Sequence, residues 1–272
     1  KSASTVEVRD KDGNITHTIE TKNLVIATGA RPRQIPGIDV DYKRIITSTE
    51  AMIPKEVPDS IIIMGAGAIG AEFAYFYNAF GAKVTIVEMM DRLLPIEDAD
   101  ISAELARNYR KDGIAIKTNA KVLSAKTVGD RVEVKIQTKD GTEETLDAAI
   151  ALNAIGIQPN TENIGLEAIG VETDRGFIKA DKFMRTNVPG VFAIGDVAGA
   201  PWLAHKASAE GVVVAEFIAG HKTEGIDYNN IPGCTYCSPQ VASIGMTEAK
   251  AKEAGYSLKI GLEAGSSMCD SI

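Results

Sequence analysis

A short apolar run that leads into a glycine-rich turn and a helical pattern constrains this chain more than any other feature. Residues 61–64 are typical of a buried strand, and residues 71–80 have a helical pattern that Gly81 is placed to end. Three glycines stand between the two patterns at the G-x-G-x-x-G spacing, namely Gly65, Gly67 and Gly70. The stretch therefore predicts a strand, a tight turn and a helix in that order.

Each glycine of this turn has its own physical reason. Gly65 allows the tight turn, Gly67 lets a pyrophosphate approach the backbone, and Gly70 lets the helix pack against the strand. The unpaired N–H groups at the start of the helix can then donate hydrogen bonds to the pyrophosphate. We therefore predict a dinucleotide site in the turn, formed by Gly65, Ala66, Gly67, Ala68, Ile69 and Gly70.

An acidic residue follows at the distance that a dinucleotide site requires. The strand pattern of residues 83–88 ends in Glu88, whose carboxylate can accept hydrogen bonds from a ribose 2′-OH and repel a 2′-phosphate. Glu88 therefore favours NAD over NADP. The alternative is a glycine-rich turn of an ordinary α/β fold beside a solvated glutamate. The strand, the helix and the acid together favour the dinucleotide site.

The composition limits the partners of the chain. Its 272 residues suffice for about two domains, and 44% of them are hydrophobic. The net charge of −8 without a basic run argues against a nucleic-acid partner or an anionic membrane surface, and the apolar run at 61–64 is too short to cross a bilayer. Three cysteines form no disulfide framework and suit a reducing compartment, so we expect a cytoplasmic protein without a membrane partner.

The same order of strands and turns occurs twice along the chain. Residues 5–20 predict a hairpin that feeds a buried strand at 23–29, and residues 131–156 predict a second hairpin whose returning strand, 148–156, is buried. The glycine turn precedes the second copy. We therefore expect a matching glycine turn upstream of Lys1, so that the chain is a fragment.

Further patterns complete the coarse prediction. Residues 100–112 have apolar residues at helical spacing. Residues 186–196 predict a short buried strand that ends at Asp196, and a helix follows between about 201 and 219. The remaining segments are a linker at 47–58, a strand at 240–245, a capped helix at 247–255 and one more strand after it.

Five motifs follow one another in an order that a known family shares. They cover nearly the whole chain and lie at residues 27–29, 65–72, 154–156 with Pro159 and Asn160, 186–196, and 236–242. In these motifs the chain resembles the pyridine nucleotide-disulfide oxidoreductases. The segment 203–207, with Glu210 and Gly211, resembles the dihydrolipoamide dehydrogenase branch more than the glutathione branch. The substrate that the resemblance implies rests mostly on that segment.

The resemblance implies an α/β fold in which a Rossmann-like NAD domain is inserted in a truncated FAD domain of the same type. It divides the chain into the first part of the FAD domain at 1–46, the NAD domain at 47–157, the second part of the FAD domain at 158–227 and the start of an α+β interface domain at 228–272. The interface domain would make the complete enzyme a homodimer.

The resemblance also implies roles for individual residues. Gly156 would pass close to the bound NAD, and Val122 would pack near its adenine. Asp196 would hydrogen-bond the ribityl chain of FAD. The positive N-terminus of the helix that follows would stabilise a reduced flavin. The remaining flavin-site residues are Leu203, Ala204 and His205 through their backbone, and Thr28, Gly29 and Ala30 in the first part of the domain. Whether the side chain of His205 takes part in the chemistry stays open.

In the family, NAD exchanges a hydride with flavin, and flavin exchanges electrons with a C-x-x-x-x-C disulfide beside a His-Glu pair. The sequence contains no C-x-x-x-x-C and stops before such a pair, so we assign no catalytic residue. We expect a fragment that binds NAD, holds FAD weakly or not at all, and is inactive alone. The parent enzyme would reoxidise dihydrolipoyl groups on the dihydrolipoyl domain of a 2-oxo acid dehydrogenase complex. The alternatives are another flavin disulfide reductase, such as a mercuric reductase, and a non-catalytic NAD-binding module.

Cys234 and Cys237 have a C-x-x-C spacing that elsewhere marks redox or zinc sites. No helix follows the pair to lower a thiol pKa and no second ligand pair is near in the sequence, so we expect neither a redox site nor a metal site. Ile157 stands where the family commonly has arginine, and Cys269 has no explanation. Glu72, expected in the first helical turn, suits the helix dipole, and the resemblance implies a place for it beside the nicotinamide.

Overall fold

The structure, a computed structural model, describes residues 1–262, which form two compact units. The first unit joins residues 1–31 to residues 157–231, and the second joins residues 32–156 to the chain from residue 232 onward. The α-helices are α1 (Ser48–Ala51), α2 (Ala68–Ala79), α3 (Ala99–Lys111), α4 (Leu166–Ile169), α5 (Ala204–Ile218) and α6 (Glu248–Glu253). The strands are β1 (Thr5–Arg9), β2 (Ile15–Glu20), β3 (Leu24–Ile26), β4 (Ala30–Pro32), β5 (Ile45–Ile46), β6 (Ser60–Met64), β7 (Lys83–Val87), β8 (Ala115–Lys117), β9 (Ala120–Val128), β10 (Arg131–Thr138), β11 (Glu143–Ala148), β12 (Ile150–Asn153), β13 (Ile157–Pro159), β14 (Thr173–Asp174), β15 (Phe177–Ile178), β16 (Val191–Ala193), β17 (Gly233–Thr235) and β18 (Val241–Ser243).

A five-stranded parallel sheet forms the core of the second unit. Its strands lie in the order β5, β12, β6, β7, β8, and each neighbouring pair is parallel. Strand β6 is buried on both faces, since Ile61, Ile62, Ile63 and Met64 are each at most 2% exposed. Burial on both faces explains the unbroken apolar run of the sequence. The prediction of a buried strand at this place is confirmed.

Helices α2 and α3 belong to the same core, and two buried tyrosines connect them to it. Tyr77 Oη donates a hydrogen bond to the carbonyl oxygen of Ala51 (3.0 Å), and Tyr109 Oη donates to that of Ala71 (2.6 Å). Because parallel strands end at one edge of a sheet, the turns that follow β6 and β7 lie there together. The sheet thus brings the glycine turn and the residue after β7 to the same edge.

The second unit also contains an antiparallel sheet with the order β11, β10, β9. The alternation predicted for residues 131–137 is confirmed in β10, whose fully buried positions are Val132, Val134 and Ile136. The buried strand predicted at 148–156 is present as β12, but the prediction that it is the returning strand of the hairpin is wrong. Strand β11 pairs with β10, whereas β12 pairs with β6 in the parallel sheet. Only Ala149 separates β12 from β11, whose residues are largely charged and exposed, so the apolar pattern of the sequence marks β12 and misses β11.

A parallel pair of strands, β3 and β16, lies at the centre of the first unit. Its core includes Ile26, Val191, Ala193 and Val197. The predicted hairpin is present as the antiparallel pair β1 and β2. Strand β16 leads into a 3₁₀ turn, Gly195–Ala198, and then into α5. The strand predicted at 186–196 is therefore much shorter, and its last residue, Asp196, lies in the turn.

The linker predicted at 47–58 contains a helix that the sequence analysis did not identify. Helix α1 follows Thr47, whose Oγ1 accepts a hydrogen bond from the N–H of Thr49. The Glu50 carboxylate accepts a hydrogen bond in return from the N–H of Thr47 (3.0 Å). This reciprocal arrangement is a capping box, which the S/T-x-x-E pattern of the sequence indicates.

The chain from residue 232 onward adds a short antiparallel pair, β17 and β18, and helix α6 to the second unit. The strand predicted at 240–245 and the helix predicted at 247–255 are confirmed as β18 and α6. Between α6 and residue 262 the chain forms no strand, and Cys269 lies outside the described residues. In the described part of the chain, every helix is too short or too polar to cross a membrane.

Candidate functional site

The glycine turn after β6 has the geometry that its sequence predicts. Gly65 has a φ of +105°, in the region that favours glycine, and a Cβ added there would collide with the carbonyl oxygen of Ala154. A Cβ added to Gly70 would collide with the carbonyl oxygen of Gly65. A Cβ added to Gly67 would meet no atom within 4 Å. Two of the glycines are thus required by close packing, and the third borders open space.

Helix α2 begins at this open space without a side chain to cap it. Its N-cap is Gly67, and the first helical hydrogen bond runs from the N–H of Ala71 to the carbonyl oxygen of Gly67 (2.9 Å). The first N–H groups of a helix have no partner within the helix, and they carry partial positive charge. The N–H groups concerned are those of Ala68, Ile69 and Gly70. This helix start can accept an anion.

Glu88 is fixed directly beside the turn. Its side chain is buried, and its carboxylate accepts hydrogen bonds from the N–H groups of Ala66 (2.7 Å) and Met90 (2.7 Å). The other backbone group of Ala66, its carbonyl oxygen, accepts a hydrogen bond from the N–H of Leu94 (2.8 Å). Each carboxylate oxygen has a further lone pair for a hydroxyl donor. The turn and the acid therefore form one connected arrangement.

Gly156 and Val122 lie in the same unit as the glycine turn. Gly156 has a φ of +109°, its carbonyl oxygen accepts a hydrogen bond from the N–H of Arg33 (3.0 Å), and a Cβ added there would meet no atom within 4 Å. Val122 is a half-buried residue of β9 that packs against the apolar core of the antiparallel sheet. Sequence reasoning missed the buried Asn153, whose Nδ2 donates to the carbonyl oxygen of Arg33 (2.9 Å) and so fixes the same segment.

Glu72 lies in the second turn of α2, one turn later than predicted, because the helix begins at Ala68. Its Oε1 accepts a hydrogen bond from the N–H of Tyr236 (2.8 Å). This contact connects α2 to the chain that follows residue 232. The helix dipole is therefore not the only partner of this carboxylate.

In the first unit, Thr28 and Gly29 are hydrogen-bonded to the chain after β13. Thr28 Oγ1 donates to the carbonyl oxygen of Asn160 (2.7 Å), and Asn160 Nδ2 donates back to the carbonyl oxygen of Thr28 (2.9 Å). The N–H of Asn160 donates to the carbonyl oxygen of Gly29 (2.9 Å). Ala30 begins β4, which pairs with β13. The segments that follow Ile26 and Gly156 are thus joined by hydrogen bonds.

A guanidinium missed by the sequence analysis stabilises the same pairing. Arg31 donates to both carboxylate oxygens of Glu162 (2.7 and 3.0 Å) and to Asn160 Oδ1 (2.8 Å). The hydrogen bond from Arg31 lowers the pKa of Glu162 to about 2. A bidentate pair of this kind is specific in geometry.

A cavity of about 330 Å³ in the first unit brings several predicted flavin-site residues together. Gly29, Asp196 and Ala204 line it, with Trp202 and Ala207. Leu203 is the N-cap of α5 without a side-chain hydrogen bond, and His205 is the exposed second residue of the helix. Leu203, His205 and Ala30 are not among the lining residues, whereas Thr28 lines a separate cavity of about 580 Å³. The cavity combines a carboxylate with the positive end of a helix.

Behind this cavity lies a buried ion pair that the sequence analysis did not select. Lys206 and Glu210 are at most 1% exposed, with Lys206 Nζ 3.1 Å from Glu210 Oε1. Tyr228 Oη donates to the same oxygen (2.7 Å). The sequence shows the i, i+4 spacing of the lysine and the glutamate, but a pair at this spacing in a helix more often lies on the solvated surface.

The two described cysteines are placed differently. Cys234 lies on β17, and Cys237 is buried in the turn before β18, where its Sγ donates to the carbonyl oxygen of Pro239 (3.1 Å). Burial raises the pKa of the Cys237 thiol. No disulfide joins the two, and residues 1–262 contain no cluster of three or more His, Cys, Asp or Glu side chains able to hold a metal ion.

Comparisons with known proteins identify the family to which this chain is similar. A family described as pyridine nucleotide-disulphide oxidoreductase matches residues 1–211, and the dimerisation domain of the same family matches residues 231–266. The dihydrolipoyl dehydrogenase of Rhizobium etli is 50% identical over 248 residues, which are 90% of this chain and 51% of that protein. The enzyme of the same name from Chlorobaculum tepidum is 46% identical over 256 residues, which are 94% of this chain and 54% of that protein.

Solved structures of lower sequence identity have the same fold. LpdA of Mycobacterium tuberculosis has a TM-score of 0.82 and 30% identity, covering 91% of this chain and 53% of that one. The HOCl-induced flavoprotein disulfide reductase RclA of Escherichia coli has a TM-score of 0.81 and 29% identity, covering 93% and 57%. The chain thus spans about half the length of the relatives that it matches. The α/β fold and the family resemblance are confirmed, and the chain belongs to the pyridine nucleotide-disulphide oxidoreductase family.

Proposed function

We propose that this chain carries the NAD site of a dihydrolipoyl dehydrogenase. The observation that supports the site most directly is the contact between the glycine turn and its acid. The N–H of Ala66 donates to the Glu88 carboxylate next to the open space at Gly67, where α2 begins without a capping side chain. The names of curated relatives that are 42–50% identical support the choice of enzyme.

The residues of the turn fit the parts of a dinucleotide. The free N–H groups of the first turn of α2 would bind the pyrophosphate, in the space that a side chain at Gly67 would fill. The Glu88 carboxylate would accept hydrogen bonds from the adenosine ribose and exclude a 2′-phosphate. Gly156 would line the path of the dinucleotide, and Val122 would border its adenine. Bound NAD would supply the hydride acceptor, while these residues bind and orient it.

The first unit would carry part of a flavin site. Asp196 would accept hydrogen bonds from the ribityl hydroxyls of FAD, and the N-terminus of α5 would stabilise negative charge on the flavin ring through Leu203, Ala204 and His205. Thr28, Gly29 and Ala30 would border the same cofactor. We propose that this chain alone holds FAD weakly. The domain boundaries 1–46, 47–157, 158–227 and 228–272 are part of this proposal.

We further propose that the complete enzyme reoxidises dihydrolipoyl groups of 2-oxo acid dehydrogenase complexes as a cytoplasmic homodimer. The match of residues 231–266 to the dimerisation domain supports the dimer. The chain alone would not turn over, because the redox disulfide of the family has no C-x-x-x-x-C counterpart in this sequence. Purified chain that oxidises dihydrolipoamide at an ordinary rate would contradict this part.

Calorimetric titration with NAD⁺ and NADP⁺ tests the site itself. We expect heat and a saturable isotherm with NAD⁺, and binding at least tenfold weaker with NADP⁺, because Glu88 repels the extra phosphate. Equal affinity for the two dinucleotides would refute the role of Glu88. Absence of heat with both, from protein shown to be folded by circular dichroism, would refute the site.

A second candidate is another flavin disulfide reductase. The similarity in structure to RclA, with a TM-score of 0.81, is nearly the same as that to LpdA, with 0.82, so the fold does not choose between their substrates. Substrate assays on the complete gene product separate the candidates. Reduction of a metal ion or another disulfide without oxidation of dihydrolipoamide would favour the second one.

A further inference from the structure

The turn that carries Asp196 is held by charged side chains that are themselves buried. Lys206 Nζ donates to the carbonyl oxygens of Gly195 (3.0 Å) and Gly199 (2.9 Å), so it spans the two ends of the turn. The Glu210 carboxylate accepts a hydrogen bond from the N–H of Gly195 (2.7 Å). Both backbone groups of Gly195 are therefore bound by ionic groups, directly next to Asp196.

Every hydrogen-bonding group of this arrangement is used. The three donors of the Lys206 ammonium go to two carbonyl oxygens and to Glu210 Oε1. Oε1 of Glu210 also accepts from Tyr228 Oη, and Oε2 accepts from Gly195. Burial raises the pKa of Tyr228, so its hydroxyl stays a donor. Lys206 and Glu210 are at most 1% exposed, whereas Tyr228 is 41% exposed, so the tyrosine connects the buried pair to the surface.

Stability is a poor explanation for such a pair. Replacing a buried ion pair by apolar residues of similar volume is often neutral or stabilising, because desolvation offsets the attraction between the charges. What the pair adds is restraint on a flexible backbone. Gly195 and Gly199 both have positive φ values, +74° and +101°, and glycine gives these positions wide conformational freedom.

We propose that Lys206, Glu210 and Tyr228 form a positioning network that fixes the turn of residues 195–199, and with it the Asp196 carboxylate, for a ligand rich in hydroxyl groups. This inference rests on the proposed flavin site, in which that ligand is the ribityl chain of FAD. Gly195, Asp196 and Ala207 line the cavity, while the ion pair lies behind them. The network acts through the turn and does not itself touch the ligand.

The test removes the pair without leaving a buried charge. In the 272-residue chain, the double variant Lys206→Met/Glu210→Leu is compared with Lys179→Met/Glu172→Leu, which removes an exposed pair of the same residue types in the same unit. We measure the thermal midpoint, hydrogen exchange of the Gly195 and Gly199 amides, and the dissociation constant for FAD by flavin fluorescence. Tyr228→Phe is a milder variant that keeps the ion pair.

We expect the buried-pair variant to melt within a few degrees of the wild type, to exchange the two amides at least tenfold faster and to bind FAD at least tenfold more weakly. The exposed-pair variant should match the wild type in all three. Asp196→Asn should weaken FAD binding in the wild type but add little in the buried-pair variant, because the carboxylate is no longer held in place there. A merely structural pair would leave the effect of Asp196→Asn unchanged.

Unaltered exchange and FAD affinity in the folded double variant would overturn the proposal. If the double variant does not fold, Tyr228→Phe decides: FAD binding two- to fivefold weaker supports the network, and unchanged binding refutes it. If the wild-type chain binds no FAD at all, the proposed flavin site is refuted. Hydrogen exchange in the double variant and the wild type then still tests the positioning network. Faster exchange of the Gly199 amide, which donates to the carbonyl oxygen of Asp196 and not to Glu210, then supports the restraint on the turn, and unchanged exchange of this amide refutes it.

Discussion

The two glycine turns of this protein, at residues 65–67 and 195–199, are stabilised in different ways. Each follows a parallel strand and precedes a helix without a side-chain cap. The first turn is held mainly by backbone contacts, since the Gly65 N–H donates to the carbonyl oxygen of Val87 (2.8 Å) and Gly70 packs directly on Gly65, while the buried Glu88 carboxylate adds one hydrogen bond from the Ala66 N–H. The second is held by Lys206 and Glu210 from the following helix.

The difference explains why one turn can be predicted from the sequence and the other only in part. A turn held by close backbone packing can be recognised from glycine spacing alone. A turn held by buried side chains depends on residues whose pattern looks ordinary until the helix is folded against it. The first turn should therefore respond to the addition of single methyl groups, and the second to changes of charge.

The largest effect is expected from Lys206→Met alone, which leaves the buried Glu210 carboxylate without its cation. Breaking a buried pair in this way costs about 3–5 kcal/mol. Lys179→Met, in a pair whose side chains are more than half exposed, is the matched control and should cost at most about 0.5 kcal/mol. Urea denaturation of both variants measures the difference. Equal losses would mean that the second turn does not depend on charge.

Gly70→Ala should have the next largest effect, in the first turn. Its new Cβ would collide with the backbone of Gly65, which has no flexible side chain to move aside. We expect a loss of about 2–3 kcal/mol in the free energy of unfolding, as for other overpacked sites. Thermal denaturation of Gly70→Ala beside the wild type measures it. An unchanged midpoint would show that close backbone packing does not hold this turn.

Gly67→Ala is the counterpart that separates binding from stability. A Cβ at Gly67 would meet no atom of the protein, so the variant should lose no more than about 1 kcal/mol of stability, mainly because alanine is a poor N-cap. The same methyl group would occupy the space proposed for the pyrophosphate. We expect NAD⁺ affinity to fall about tenfold, or about 1.4 kcal/mol. Calorimetry that finds unchanged affinity would remove the pyrophosphate from this place.

Glu88→Gln should have a smaller effect, on the choice between dinucleotides. The amide keeps the size of the side chain but removes the negative charge that would repel a 2′-phosphate. Its NH2 group also faces one of the two backbone N–H groups that Glu88 binds, a cost that both dinucleotides share and that leaves their ratio to report the charge. We expect the ratio of the NADP⁺ and NAD⁺ dissociation constants to shrink about fivefold, or about 1 kcal/mol. Titrations of both dinucleotides with this variant and the wild type provide the ratio. A ratio that stays the same would assign the discrimination to other residues.

The smallest effect is expected at the exposed pair of Arg31 and Glu162. The guanidinium lowers the pKa of Glu162 to about 2, below its usual value of 4.5. A carboxylate with a lowered folded-state pKa adds stability above its unfolded pKa, and this stability is lost as the pH falls from about 4.5 to about 2. Glu162→Gln should therefore reduce the acid dependence of unfolding in that range. Parallel denaturation curves of variant and wild type at every pH would contradict the assignment.

The sequence predicts the first turn well and the second only in part. Strand β6, the glycine turn, α2 and β7 are consecutive, so spacing alone predicts the order of these elements and the acid, Glu88, that follows them. Asp196 could be selected because it ends an apolar strand pattern, but Lys206 reads as one of many lysines until α5 is placed against the turn. The missed helix α1 had a local signal in Thr47 and Glu50, whereas the division between β11 and β12 depends on which sheet each strand joins.

The most direct test of the account is a crystal of the chain soaked with NAD⁺. We predict density for the diphosphate against the amides of residues 68–70, with the Glu88 carboxylate within hydrogen-bond distance of the adenosine ribose hydroxyls. The account would be contradicted if such a crystal showed no ligand density at the glycine turn, or if the dinucleotide were bound elsewhere in the chain.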